Sequence, residues 1–211
     1  IRVRDVQLNR TIAMKILHKH LLNNPFERRR FIEEAQIEAQ LQHPGIVSVH
    51  ETGTLSSGHI YFTMREIRGR SLKQLIQLRE NTREERNHLL QYLLRVCEAV
   101  GFAHSKGVVH CDIKPSNIMI GAYGEVWLVD WGIARLIRIH DSELEPVALL
   151  SVENSFSDDI TGTPLYMSPE QAHGFNLEIK PTSDIYSLGV ILYELLVGSR
   201  PYPDLPLNNL M

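Results

Sequence analysis

Four side chains in two short blocks hold the chemistry of this sequence. The first block, VVHCDIKPSNIMI, places Asp112, Lys114 and Asn117 at fixed spacing behind His110-Cys111. The second, VWLVDWGIAR, places Asp130 directly before Trp131-Gly132. Phosphoryl transfer from ATP needs a carboxylate to orient a hydroxyl, a cation to neutralise the moving phosphoryl group, and oxygen ligands for Mg²⁺. Asp112, Lys114, Asn117 and Asp130 are those groups. Singly, each has an ordinary explanation: an Asp after the apolar strand end Val108-Val109 can cap a turn, and so can an Asn. Together, D-x-K-x-x-N and a second Asp closing an apolar strand form a demanding coincidence.

A further pair stands upstream. Lys15 lies inside the apolar run Ile12-Ala13-Met14-Lys15-Ile16-Leu17, where a lone Lys normally reaches out to solvent. Glu34 lies in FERRRFIEEAQIEAQLQ, where a lone Glu is normally a solvated helix acid. A strand Lys followed by a helical Glu can instead form an ion pair that fixes the ammonium against the α- and β-phosphates of ATP. Glu34 is preferred to its neighbour Glu33 from its placement nine residues before His43-Pro44.

The elements that must carry these residues fall into two textures. Residues 1–67 read strand, helix, strand, strand. Asn24 as N-cap, Pro25 in the first turn and Glu27 at the capping-box position open the helix, and His43-Pro44-Gly45 stops it. Ile46 to Gly53 and His59 to Ile67 read as strands joined through Ser56-Ser57-Gly58. Residues 68–211 are mainly helical. Leu72, Leu75 and Ile76 mark a short helix, and Leu89, Leu90, Leu93, Leu94, Cys97 and Val100 mark a longer one ending at Gly107. A small hairpin turns at Gly121–Gly124. Ser183 is expected to cap a helix from Asp184 to Val197, closed by Gly198. Between about 135 and 165 runs a long polar stretch, a length that usually signals function or disorder.

The chain has 211 residues, 43% hydrophobic and 22% charged, which suits a folded globular protein. Twenty-two basic and 25 acidic residues give a net charge of −3, and no pattern that would attract nucleic acid. No apolar run approaches the roughly 18–20 residues a membrane span needs. Cys97 and Cys111 have no paired or CxxC spacing, so a disulfide framework or zinc site is not expected, and a reducing, cytoplasmic compartment is.

Six blocks in order make the chain similar to the eukaryotic-type protein kinase family, within it the bacterial Ser/Thr kinases. They are AMK (13–15), EEAQ…LQHPGIV (33–47), HCDIKPSN (110–117), DWGIAR (130–135), GTPLYMSPEQ (162–171) and SDIYSLGVILYEL (183–195). The resemblance implies an α+β, two-lobed fold: a β-rich N-lobe with one key helix over 1–67 and a mainly helical C-lobe over 68–211. It implies ATP and Mg²⁺, with Mn²⁺ as the other option, and protein substrates bearing Ser or Thr. Dimerisation and a membrane anchor elsewhere in the full-length protein are compatible with it. By the same resemblance, Ala13 and Met119 would sandwich adenine, Met64 would be the gatekeeper, and Arg65 to Ile67 the hinge. Thr163 would bond to Asp112 and Lys114, Thr161 would be an activation-segment phosphoacceptor, and Glu170 would belong to the motif ending that segment. His110 and Asp184 would hold the catalytic loop. The aromatic after Asp130, here Trp131, would pack beneath the helix carrying Glu34.

Three departures from the family pattern stand out. No Gly-rich phosphate loop precedes Ile1–Asp5. The last C-lobe helices, with the Arg that would pair Glu170, do not follow Met211. Cys111 occupies the place of the Arg that would clasp a phosphorylated activation loop, and a neutral thiol cannot pair a phosphate of charge about −1.5 to −2. Phosphorylation at Thr161 or a nearby serine is therefore not expected to be the main switch. The segment Leu136 to Ile160 is either a surface insertion or a regulatory segment with Ser151, Ser155, Ser157 and Thr161 as phosphoacceptors. A module of this fold that binds nucleotide or partners without turnover is the alternative function. A small-molecule kinase would share Asp112, Asn117 and Asp130 but would lack GTPLYMSPE.

Overall fold

The structure, a computed structural model, describes residues 1–80, 82–137, 145–150 and 164–202. Strands β1 (Arg2–Asp5) and β2 (Arg10–Ile16) open the chain and form a hairpin. Helix α1 (Pro25–Gln40) follows, with the Asn24 side chain accepting the N–H groups of Phe26 and Glu27 and Pro25 in the first turn. β3 (Val49–Thr54) and β4 (Ile60–Arg65) complete an antiparallel sheet of order β1-β2-β4-β3. The turn between them contains Gly58 at φ 82°, a conformation suited to glycine.

β5 (Gly69–Ser71) leads into α2 (Leu72–Leu78), capped reciprocally by Ser71 and Gln74. α3 (Arg83–Ser105) is capped in the same way by Thr82 and Glu85. β6 (Val108–Val109) then pairs with β9 (Arg135–Leu136). β7 (Ile118–Gly121) and β8 (Val126–Leu128) form the expected hairpin, joined at its edge by β5. α4 (Pro169–Ala172) and α5 (Pro181–Val197) close the described chain, α5 ending on Gly198 at φ 94°.

Two apolar cores result. The smaller joins Leu17, Phe31, Ala35, Ile60 and Phe62 between α1 and the first sheet. The larger gathers α3, the β7–β8 hairpin and α5, and it also takes in Ile37, Leu41 and Ile46. Phe31 and Ala35 of α1 thus serve one core, and Ile37 with Leu41 just past the helix serves the other. Gly45 and Ile46 tie the two regions further, because Leu128 donates its N–H to Gly45 O at 2.8 Å and bridges Ile46 in parallel.

Two elements differ from the sequence expectation. The strand expected from Ile46 begins at Val49, because buried Ile46 and Val47 belong to the junction with β8. Ser183 is not the cap of α5. The helix starts at Pro181 with Lys180 as N-cap, since proline's fixed φ suits a first turn. The Ser183 hydroxyl donates to Glu170 instead.

Candidate active site

β2 places Lys15 on its inner edge, opposite Phe62 of β4. The Lys15 ammonium lies 2.5 Å from Glu34 Oε1 and 3.6 Å from Asp130 Oδ1. Glu34, not Glu33, faces it, because Glu34 lies on the buried side of α1. Desolvation alone would lower the Lys15 pKa, but the Glu34 carboxylate outweighs it, and the ammonium is held above its ordinary range. Burial raises Glu34, with Lys15 pulling it back. One turn on, Glu38 is also buried, and burial together with the charge of Glu34 pushes it up to about 8.

The catalytic-loop candidates form a second cluster after β6. Lys114 Nζ lies 2.6 Å from Asp112 Oδ2. Asn117 Nδ2 donates to the Asp112 carbonyl at 3.0 Å and to its Oδ2 at 3.1 Å. Asp112 is thus oriented by one cation and one amide. His110 is fully buried beneath it, and burial lowers its pKa, so its ring is neutral. The Asp112 N–H donates to His110 Nδ1 at 3.1 Å, which leaves Nε2 to donate to Val129 O at 3.2 Å. The same ring packs on Trp131 with centroids 4.5 Å apart.

Backbone shape at this loop is unusual. Cys111 and Asp130 adopt φ 68° and 69°, the left-handed region that non-glycine residues rarely occupy. Such strain persists only where the surroundings enforce it. Asp184 does so for Cys111, accepting the His110 N–H at 2.8 Å and the Cys111 N–H at 2.9 Å. Gly132, two residues after Asp130, lies against Glu34: a Cβ there would meet Glu34 Oε2 at 3.3 Å. Arg30 of α1 donates to the Gly132 carbonyl at 3.0 Å. Trp131 is buried in the larger core with Ile37 of α1 and Leu41 just after it.

The structure brings Lys15, Glu34 and Asp130 into one cluster and Asp112, Lys114 and Asn117 into another. Ala13 and Met64 are direct cross-strand partners in the first sheet, and Met119 pairs with Trp127 in the β7–β8 hairpin. Arg65 is exposed and stacks over Trp127 at 5.5 Å, while Ile67 is half-buried between β4 and β5. Glu170 has a partner within the chain, the Ser183 hydroxyl. Burial raises the Glu170 pKa, but that bond, further hydrogen bonds from Ser168 and the backbone, and the charge of Lys180 together outweigh it and leave the carboxyl below its ordinary value. Thr161 and Thr163 lie outside the described residues, as do Ser151, Ser155 and Ser157.

Sequence reasoning missed two supports. His104 Nε2 is 2.8 Å from Asp184 Oδ2. Gln171 Nε2 donates to the Cys111 carbonyl at 2.6 Å, so the strained residue is held through both of its backbone groups. Neither partner has a spacing that would reveal it, since the contacts span 80 and 60 residues.

The donors suit a hard cation bound mainly through phosphates. Asn117 directs its N–H groups at Asp112, so its amide carbonyl is what it can give a metal, and the Asp130 side chain is half exposed. No group of three or more His, Cys, Asp or Glu placed to hold a metal ion by itself occurs among the described residues. Two oxygen donors completed by phosphates and water is the manner in which Mg²⁺ is held.

A family model described as protein kinase domain matches residues 1–210. The chain is 40% identical, over 94% of its length, to the serine/threonine-protein kinase PknD of Protochlamydia amoebophila, and covers 21% of that protein. It is 39% identical to PknD of Chlamydia muridarum, again over 94% of its length, and covers 23% of that protein. To PknB of Mycobacterium leprae it is 36% identical over 94% of its length, covering 30%. The chain therefore spans less than a third of these curated relatives.

Proposed function

We propose that this chain, which belongs to the protein kinase domain family, transfers the γ-phosphoryl group of ATP to Ser or Thr hydroxyls of protein substrates in bacterial signalling. The observation that carries the proposal is the Lys15 ammonium, set between the carboxylates of Glu34 and Asp130. A cation so fixed is preorganised for phosphate oxygens, and preorganised charge is the main contribution a protein makes to this reaction.

Each residue then has a role. Lys15 would bind the α- and β-phosphates, with Glu34 fixing its direction. Asp112 would receive the hydrogen of the substrate hydroxyl, leaving its oxygen directed at the phosphorus. Lys114, on the same carboxylate, would neutralise charge on the transferring group. Asn117 and Asp130 would hold the divalent cation, Mg²⁺ in preference to Mn²⁺, which would supply positive charge against the phosphates. Ala13 and Met119 would flank adenine, with Met64 behind it and the backbone of Arg65 to Ile67 bonding its edge. Thr163 would contribute to the choice of hydroxyl. We place the lobe boundary near residue 67.

The alternative without turnover would be favoured by loss of one of Lys15, Asp112, Asn117 or Asp130, and all four are in place. The chain as part of its whole protein should phosphorylate a generic basic protein with γ-labelled ATP, and the Asp112→Asn variant should lose at least about a hundredfold in rate. Equal signal from the two would end the catalytic assignment.

A further inference from the structure

Arg65 and Trp127 join the two walls proposed for adenine. Arg65 ends β4, and its guanidinium carbon lies 5.5 Å from the centroid of the Trp127 indole in β8. That is within the reach of a cation–π contact. Trp127 is buried, whereas Arg65 is exposed. The next residue, Glu66, pairs with Arg2 at 2.8 Å and with Arg68 at 2.9 Å, so its carboxylate does not draw the Arg65 guanidinium from the ring.

Strand register places this contact one step from each wall. In the first sheet Met64, the residue before Arg65, is the cross-strand partner of Ala13. In the β7–β8 hairpin Trp127 is itself the partner of Met119. The Arg65 side chain therefore ties the strands that carry Ala13 and Met64 to the strands that carry Met119. Gly121 of β7 packs on the same indole, where a Cβ would meet its Cζ3 at 3.0 Å, so the ring is fixed to its hairpin. One residue on, Leu128 is held by a second tie: its N–H donates to the buried Gly45 at 2.8 Å, and its side chain lies in the larger core. The buried tie stays closed and serves as a pivot. A swing about it that widens the slot must draw Arg65 off Trp127.

We propose that the stack of Arg65 on Trp127 sets the separation of Ala13 from Met119, and with it the fit of the adenine ring. Both are positioning residues in this role: the Arg65 side chain acts through β4, and Trp127 acts through Met119. The inference rests on the adenine site proposed between Ala13 and Met119 and adds what fixes its width. It concerns the purine alone. A nucleoside without phosphates therefore feels the stack as strongly as a nucleotide does.

The test compares the chain, as part of its whole protein, with Arg65→Ala, Trp127→Leu and the double variant. Calorimetric titration gives the affinity for adenosine, which carries no phosphate, and for ADP. Losing an exposed cation–π contact should weaken both ligands by the same factor, about three- to fivefold. The double variant should lose no more than the worse single one, the mark of residues that act as a pair. Arg65→Lys keeps a cation over the ring and should recover most of the loss. The KM for ATP should rise by a similar factor, about three- to fivefold, while kcat holds. Weakening of ADP alone would show a plain cation acting on phosphate and would overturn the stack, as would additive losses. If Trp127→Leu does not fold, Arg65→Ala and Arg65→Lys, at an exposed position, decide the question. A parent that binds no adenosine overturns the proposed adenine site and this inference together. Parent binding that Arg65→Ala leaves unchanged overturns the inference and spares the site.

Discussion

The carboxylate of Asp184 accepts the backbone N–H of Cys111 at 2.9 Å, across 73 residues of chain. Its other oxygen takes the N–H of His110 and faces His104 Nε2, both at 2.8 Å. One buried side chain at the start of α5 thus fixes the loop that carries Asp112. Asp184→Ala would leave two buried N–H groups without their acceptor, at a cost of about 3 kcal/mol or more. Asp184→Asn keeps one acceptor oxygen and should cost clearly less. Urea unfolding of the three proteins measures the difference, and equal losses from Ala and Asn would refute the anchoring role.

Lys15 and Glu34 should behave as a unit. Replacing Lys15 by Met leaves a buried carboxylate without its cation, and Glu34→Gln leaves the ammonium without its anchor. The Lys15 side chain is 40% exposed, so solvent screens the pair. The coupling energy in a double-mutant cycle should be about 1–3 kcal/mol, below that of a fully buried pair. Additive losses in stability and in nucleotide affinity would show that the two residues act separately.

Glu38 makes stability depend on pH. Its carboxyl has an ordinary value of 4.5 and is pushed up to about 8 in the fold, chiefly by burial. Between those values the folded state keeps a proton that the unfolded state has lost, so stability falls as pH rises through that window. Glu38→Gln removes this dependence. It should exceed the parent by a few kcal/mol above about pH 8 and approach parity near pH 5. Denaturant midpoints of the two proteins across that range test the sign, and parallel curves would contradict it.

The two thiols should differ in reactivity. Cys97 is exposed, whereas Cys111 is buried beside Val109 and Ile179, and burial pushes its thiol far above the ordinary value. Mass spectrometry after treatment with iodoacetamide should find Cys97 modified in the native protein, and Cys111 only in denaturant. Rapid native labelling of Cys111 would mean that the strained loop opens.

The sequence by itself determined what local rules can reach. Asn24-Pro25 opens α1, Gly198 closes α5, and the spacing of Asp112, Lys114 and Asn117 announces a cluster, because caps, turns and short motifs act over a few residues. The placement nine residues before His43-Pro44 favoured Glu34 over Glu33, and it is Glu34 that meets Lys15. The tertiary structure decided the rest. It moved the start of α5 to Pro181 and gave the Ser183 hydroxyl to Glu170. It supplied His104 and Gln171 to the loop that carries Asp112, and turned Gln36 and Gln40 toward Ala148 and Leu150 across more than a hundred residues. These polar side chains look like ordinary surface residues in the sequence. Their partners are backbone groups and buried acids brought near only by packing of the larger core, and nothing in residue type or spacing encodes such distant hydrogen bonds.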